Sequence, residues 1–337
     1  MRWRRRGLPH ASSIATSISR SCPVAKTALS GAAGPEGKRL VPVEIAFITV
    51  NYNTREHITR LADFFRLLQL PFTFSFSVVD NASRDGSREF LESHPEIHSL
   101  LADDNLGYGR AMNRGIAATE SRYVCVMNTD VILNPEVLTA LWRFMESHPD
   151  AGVCAPRLVY ADGRDQGMVF RPSLPAHYSN WYAKTLAWLG KRRLRRATQP
   201  VLVDGVLGAF FVIRRSAIAG TLFDEGFFFF HEDTVLAHSW KNRGVKCFVL
   251  PDATIVHIGG QSRSVAAVKF FYESKYLYLT KYYSGFHARA VYFLDRFRML
   301  RKWFVYWLIS RVSRSERIRA KENHYRVAWQ TVRFHAS

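Results

Sequence analysis

VEIAFITVNYN (43–53), FTFSFSVVDNAS (72–83) and YVCVMNTD (123–130) are three apolar runs that each end in amides or acids. Between them lie REHITRLADFFRLLQL (55–70), RDGSREFLESH (84–94) and GYGRAMNRGIAAT (107–119), whose apolar residues recur at helical spacing. PEVLTALWRFMESH (135–148) follows, with Pro135 suited to a first helical turn. A continuous apolar run reads as a strand buried on both faces. Strand–helix alternation of this kind predicts a mostly parallel sheet with helices on both sides, an α/β fold. A short strand near IHSLLA (97–102) fits the same order.

Working outward, the regularity fails after GVCAPRLVY (152–160). Residues 160–200 predict a mobile loop and helix at one edge of the sheet, including the basic run KRRLRR (191–196). LGAFFVIRR (207–215) resumes as a strand and HEDTVLAHSWKNRG (231–244) as a helix ended by Gly244. VKCFVLPDATIVHIGG (245–260) reads as two short strands. These elements place one catalytic-sized body at 41–262. A basic leader precedes it at 1–40 and a helical extension follows at 263–337.

The formal net charge of +19 suggests nucleic acid until it is mapped. Residues 1–40 hold eight Lys/Arg against one acid, and residues 281–337 hold thirteen against three. The middle carries only the remaining +2. A nucleic-acid binder would carry its basic face on the fold itself, so that partner is excluded. The leader resembles an organellar transit peptide in composition and equally a disordered leader; we read it as disordered. Cys125, Cys154 and Cys247 sit in apolar runs, where buried reduced thiols are expected. With Cys22 they make no paired motif, which fits a reducing compartment. No stretch of eighteen uninterrupted apolar residues exists, so no spanning helix is expected.

In parallel sheets, ligands bind beyond the carboxyl ends of the strands. The polar endings there are Asn51 and Asn53, Asp80-Asn81, Asn128-Thr129-Asp130 and His257, with Glu232-Asp233 opening a helix. Taken singly, Asp80 or Asp130 could cap the next helix or close an Asx turn. A succession of them on one rim points to a ligand. The turn Asn105-Leu106-Gly107-Tyr108-Gly109 is not a dinucleotide fingerprint, because Met112 stands where the third glycine belongs. It requires only a close backbone approach, to a flat base or to its own helix.

As an ordered set, VNYN (50–53), VDNASRDGS (79–87), NLGYGRAMNRG (105–115), MNTDVILNP (127–135), FDEGFFFFHEDTV (223–235) and VHIGG (256–260) resemble the family 2 inverting glycosyltransferases, most closely their bacterial rhamnosyltransferase-like branch. The resemblance covers about 43–260. It implies a single nucleotide-sugar-binding domain of the glycosyltransferase A type, with a mixed sheet and an acidic metal motif at its centre. It places Asn51 and Asn53 at the nucleotide entrance, makes Asp80 the acid for base and ribose, and lays Asn105 and Gly107 over the base. Asn128-Thr129-Asp130 takes the place of the D-x-D motif, leaving Asp130 as principal ligand to Mg²⁺ or Mn²⁺, with His257 completing the metal site. Asp233, beside Glu232, falls where the family keeps its general base. The branch implies dTDP-rhamnose as donor and a lipid-linked glycan or polysaccharide as acceptor.

The chemistry requires these residue types. A departing nucleoside diphosphate develops negative charge that a hard divalent cation stabilises, and carboxylate and imidazole suit such a cation. Inversion needs one carboxylate to take the acceptor's proton opposite the leaving group. The dipole of the helix that Asp233 opens should keep it ionised, unless Asp233 is merely the N-cap. The family pattern E-D-x-D-L-C-x-R is broken at Val235 and Ser239. That departure admits a weakened acceptor site, or a catalytically silent relative binding nucleotide or glycan as a membrane-associated scaffold. Phe227 to Phe230 are expected to be mostly core.

Finally, Tyr292, Leu300, Trp303, Phe304, Trp307 and Leu308 alternate with Arg296, Arg298, Arg301, Lys302 and Arg311. This describes basic amphipathic helices, with one lying on an anionic membrane surface. The other reading is a solvated helix that buries its aromatics against the body. A cytoplasmic protein, peripheral on the inner face of the cell membrane, is the location these features predict.

Overall fold

The computed structural model describes residues 42–167, 174–259, 265–313 and 315–332. The leader and Gly260 of the last quoted motif lie outside them. The predicted alternation is present. Strands β1 (Val43–Asn51), β2 (Phe74–Asp80), β3 (His98–Leu101) and β4 (Ser121–Met127) pair in parallel. They enclose helices α1 (Arg55–Leu67), α2 (Ser87–Glu92) and α3 (Tyr108–Ala117). Then follow β5 (Val131–Ile132), α4 (Pro135–Ser147), β6 (Ala151–Val159), α5 (Leu174–Tyr178), α6 (Asn180–Arg196), β7 (Val201–Val203), β8 (Phe210–Arg214), α7 (Glu232–Asn242) and β9 (Lys246–His257). Helices α8 (Val265–Tyr282), α9 (Gly285–Val312) and α10 (Glu316–Thr331) complete the chain.

The nine strands form one mixed sheet in the order β3-β2-β1-β4-β8-β6-β9-β5, with β7 also on β9. Strand β8 runs antiparallel between β4 and β6, whereas β6 and β9 are parallel to each other. Alternate residues of each strand feed two cores. Ile45, Phe47, Cys125 and Met127 pack with Phe65 of α1 and Leu141 of α4, and Phe65 stacks on Phe76 at 4.2 Å. Ala46, Ile48, Val124 and Val126 pack against Met112 of α3 and Trp240 of α7. This two-sided burial explains the unbroken apolar runs. At α4, the Asn134 side chain accepts from the Glu136 amide at 2.8 Å and Pro135 opens the helix.

Several local expectations are corrected. Lys246–His257 is one strand, not two: Leu250 pairs with Pro156 and Thr254 with Arg157, leaving an irregularity where Pro251 has no N–H to give. The helix expected within 160–200 is present as α6, preceded by the short α5 and followed by β7, and the basic run lies in the last turns of α6. Its Lys191 donates to the Asp165 carbonyl at 2.8 Å, and Arg195 pairs with the Asp165 carboxylate at 3.4 Å. Of the four consecutive phenylalanines only Phe227 is core, while Phe228 is 39% exposed.

A third core joins the body to the carboxyl-terminal helices. Phe227 and Val235 pack with Tyr276, Tyr278 and Leu279 of α8 and with Val291 and Met299 of α9. Val235 is therefore an apolar packing residue, and a carboxylate at this position would lie among aromatic and aliphatic side chains.

Candidate active site

The sheet's directions converge the polar strand ends. Asn51 pairs with Asp80, and Met127 leads into Asn128 and Asp130 at the same end. His257, the last residue of β9, pairs with Val131 just past Asp130. Because β8 is antiparallel, its entry delivers Gly208 to this rim too, and the Asn128 amide donates to the Ala209 carbonyl at 2.9 Å.

Asn51 and Asp80 lie at the floor of the rim. Asn51 Nδ2 donates to Asp80 Oδ1 at 2.7 Å and to Ser83 Oγ at 3.1 Å, while Asn51 Oδ1 accepts from Thr54 at 2.6 Å. The other Asp80 oxygen accepts from the Ser83 amide at 3.0 Å, and the residue is fully buried. Asp80 and Asn51 thus satisfy each other and the loop at 81–83. Asn53, in the left-handed region at φ 54°, is exposed and accepts from the Arg84 amide at 2.7 Å. Asn105 is also exposed; its Oδ1 accepts from Asn81 at 2.9 Å and from the Gly107 amide at 3.0 Å. Gly107 has φ 80°, and a Cβ there would meet the Phe228 carbonyl oxygen at 2.4 Å. The close approach that the turn required is to Phe228, whose carbonyl accepts from the Tyr108 amide at 3.0 Å.

Asp130 and His257 meet at 3.2 Å, Oδ1 to Nε2. Burial pushes the Asp130 carboxyl up, but the bond to His257 and the Gly259 amide at 2.9 Å outweigh it, and its pKa is lowered. Asn128 Nδ2 lies 3.4 Å from His257 Nε2. His257 Nδ1 lies 2.6 Å from Gln166 Oε1, and Gln166 Nε2 donates to the His257 carbonyl at 2.5 Å. Gln166 Oε1 can accept the Nδ1 proton, so a cation that displaced the Nε2 proton shared with Asp130 would meet an imidazole lone pair and a carboxylate side by side. Among the described residues no group of three or more protein donors gathers. One carboxylate and one oriented imidazole fit a cation whose remaining positions are filled by phosphate oxygens. Gln166 was not legible in the sequence, being 91 residues from its partner and in a stretch without periodicity.

The acidic pair enters from α7. Phe230 and His231 both adopt left-handed φ, 69° and 66°, a conformation that costs a non-glycine residue about 1–2 kcal/mol. This turn aims Glu232 and Asp233 differently. His231, not Asp233, occupies the N-cap, and Asp233 Oδ1 accepts from the Thr234 amide at 2.8 Å. Burial raises the Asp233 pKa, against the pull of the Thr234 and Gly208 groups, so the helix dipole does not dominate as the sequence suggested. Burial, reinforced by Asp233, raises Glu232 to about 8, and Glu232 Oε1 is buried without a partner. Glu232 is therefore protonated at neutral pH, and burial shifts Asp233 in the same direction. Tyr108 stands among these groups: its hydroxyl donates to the Gly208 carbonyl at 3.2 Å. Burial raises its pKa, and Glu232, Asp233 and Asp130 raise it further, so its phenol senses both acidic clusters. In the sequence Tyr108 signals only a turn.

Comparison with known proteins places this mixed α/β sheet and its polar rim among the glycosyltransferases. The chain belongs to glycosyl transferase family 2: the model of that family matches residues 47–221, just over half of the chain. Its fold is the glycosyltransferase A type, with carboxyl-terminal helices added. The chain is 26% identical, over 71% of its length and 84% of the relative's, to N-acetylglucosaminyl-diphospho-decaprenol L-rhamnosyltransferase of Mycobacterium tuberculosis. A shorter match, 29% over 32% of the chain and 31% of the relative, is to the succinoglycan biosynthesis protein ExoO of Rhizobium meliloti. Among solved structures, the mannosyltransferase PcManGT of Pyrobaculum calidifontis in complex with GDP-Man and Mn²⁺ is similar. It has a TM-score of 0.46 and 14% identity, over 86% of this chain and 85% of that one.

Proposed function

We propose that the protein is an inverting, metal-dependent transferase that moves a sugar, rhamnose from dTDP-rhamnose, to a hydroxyl of a lipid-linked glycan. The observation that carries this reading is the shared rim: Asn128, beside the Asp130–His257 pair, donates to the Ala209 carbonyl, and Asp233 packs against the adjacent Gly208, whose carbonyl accepts from Tyr108. Asp130 and His257 would hold Mg²⁺ or Mn²⁺ against the donor's diphosphate. The cation, when bound, neutralises the charge developing on the leaving group. Asn51, Asp80 and Asn81 hydrogen-bond the loops that carry Asn53 and Asn105, and these two exposed amides would meet the nucleotide. Asp233 takes the acceptor proton, and Glu232, held neutral, leaves that charge unopposed. The rhamnosyl donor and the lipid-diphosphate acceptor follow the Mycobacterium relative's name.

Asp130→Ala tests the donor half. Calorimetry should show dTDP binding in the presence of Mn²⁺ for the wild-type protein and its loss in the variant or with EDTA. Unchanged affinity in all three conditions contradicts the assignment.

A lipid-borne acceptor gives the carboxyl-terminal helices a role. None of the described helices is long and apolar enough to cross a membrane. The structure divides the aromatic set of α9. Tyr292 and Trp303 pack inward, on Tyr276 and Trp329. Phe286, Phe293, Phe297, Leu300, Phe304 and Leu308 form an exposed stripe at helical spacing, with exposed Arg289, Arg301 and Arg311 alongside. Apolar and cationic side chains on one outward face suit the anionic inner face of a cell membrane. Changing Phe293, Phe297 and Phe304 together to Ser should release the protein from anionic vesicles. High salt should weaken wild-type binding only in part, since salt does not screen aromatic burial. Complete release of the wild-type protein by salt contradicts this orientation.

A further inference from the structure

A cavity of about 280 Å³ lies where α8, α9 and α10 meet the α5–α6 arm, at the lower edge of small-ligand pockets, which begin at roughly 300 Å³. Its lining includes Lys275, Arg298 and Lys302 and a single carboxylate, Asp295. Asp295 is already committed: it accepts from Lys275 at 2.6 Å, from Arg298 at 3.3 Å and from the Tyr276 hydroxyl at 3.4 Å. Lys302 has only the Tyr325 hydroxyl, at 3.4 Å, and the face of that ring. The described lining thus holds three cations against one anion.

Two histidines complete it. Neither ring nitrogen of His231 has a hydrogen-bond partner, and neither has His177 Nε2, although all three atoms are buried. A neutral His231 has one buried N–H to give and one buried lone pair to receive, and in a polar cavity the N–H calls for a ligand that accepts a hydrogen bond. Burial first, then His177 and Lys275, lowers the pKa of His231 to about 3, and burial with Lys275 lowers that of His177 to about 4.

The position of the cavity tells which anion. His231 immediately precedes Glu232-Asp233, and its left-handed turn sends its ring toward Phe271 and Tyr278 of α8, while Asp233 reaches Gly208 on the sheet. The cavity is therefore on the helical side of the acidic pair, away from Asp130 and His257. Lys302 lines it from α9, whose Leu300 and Phe304 belong to the exposed apolar stripe. We infer that this cavity binds the diphosphate of a prenyl-linked acceptor, its tail leaving along the α9 stripe and its sugar turned toward Asp233. The inference rests on the lipid-linked-acceptor reading above and adds the subsite and residues that hold the acceptor's anionic group.

Farnesyl diphosphate in EDTA is a suitable probe, since removing metal silences the donor site. Calorimetry should show it binding to the full chain, with farnesol much weaker and dTDP unable to displace it. Lys302→Met and His231→Gln should each weaken it by about tenfold or more, the loss of one charge-assisted or buried hydrogen bond, with Tm unchanged. Asp130→Ala should bind it like wild type. Lys302 is partly exposed, so Lys302→Met carries the test if His231→Gln folds poorly. Unaltered affinity in a folded Lys302→Met, equal binding of farnesol, or displacement by dTDP would overturn the assignment. Failure of the transferase reading appears separately, as absence of sugar transfer.

Discussion

Asp233→Asn is expected to lower kcat by about 10²–10⁴-fold, the range for losing a general base, with donor affinity nearly unchanged. Asn keeps the side-chain oxygen that accepts from the Thr234 amide at 2.8 Å, so the turn into α7 is preserved. His231 holds the N-cap position, which removes capping as an alternative role for Asp233. The pH profile supplies a second readout. A base must be ionised to act, and burial raises the pKa of Asp233. The acid limb of kcat/KM should therefore lie above the ordinary carboxylate range, and activity should rise with pH through it. The residual activity of Asp233→Asn should lack that limb. A variant with near wild-type kcat would assign the proton to another group.

Val235→Asp should destabilise the protein by about 3–5 kcal/mol, the scale for an unpaired buried charge. Restoring the family's second acid is attractive from the sequence alone. In the structure Val235 is 4% exposed and packs with Phe227, Tyr276 and Leu279. Replacement by valine is consistent with the aromatic α8 that covers α7. Thermal denaturation should show a much lower Tm and no gain in transfer. A variant as stable as wild type and more active would mean that position 235 faces the acceptor instead of the core.

The sheet was legible because its strands are buried on both faces, so apolar runs and their polar ends mark strand and rim without ambiguity. Asn128, Asp130 and His257 could be named for the same reason: each sits where an apolar run stops. What escaped depends on long-range pairing. The antiparallel β8 cannot be distinguished from a parallel strand by composition, yet it brings Gly208 to the rim and so seats Asp233 and Tyr108. Gln166 carries no local signal. Asp80 ends its strand as a ligand-facing acid would, but the sequence does not show that its register opposite Asn51 also gives each of its oxygens a hydrogen bond from within the protein. In α9 the hydropathy pattern could not say which aromatics face inward, since α8 and α10 cover one side and leave the Phe stripe on the other.

The central claim, sugar transfer from a nucleotide sugar with Asp233 as base, is tested most directly by following product formation with nucleotide sugars and a prenyl-diphosphate-linked sugar acceptor. The account predicts Mn²⁺- or Mg²⁺-dependent transfer with inversion at the anomeric carbon, abolished by EDTA and reduced about 10²–10⁴-fold by Asp233→Asn. Transfer that persists unchanged in EDTA and in Asp233→Asn, or no transfer from any nucleotide sugar by a folded, nucleotide-binding wild-type protein, would contradict it.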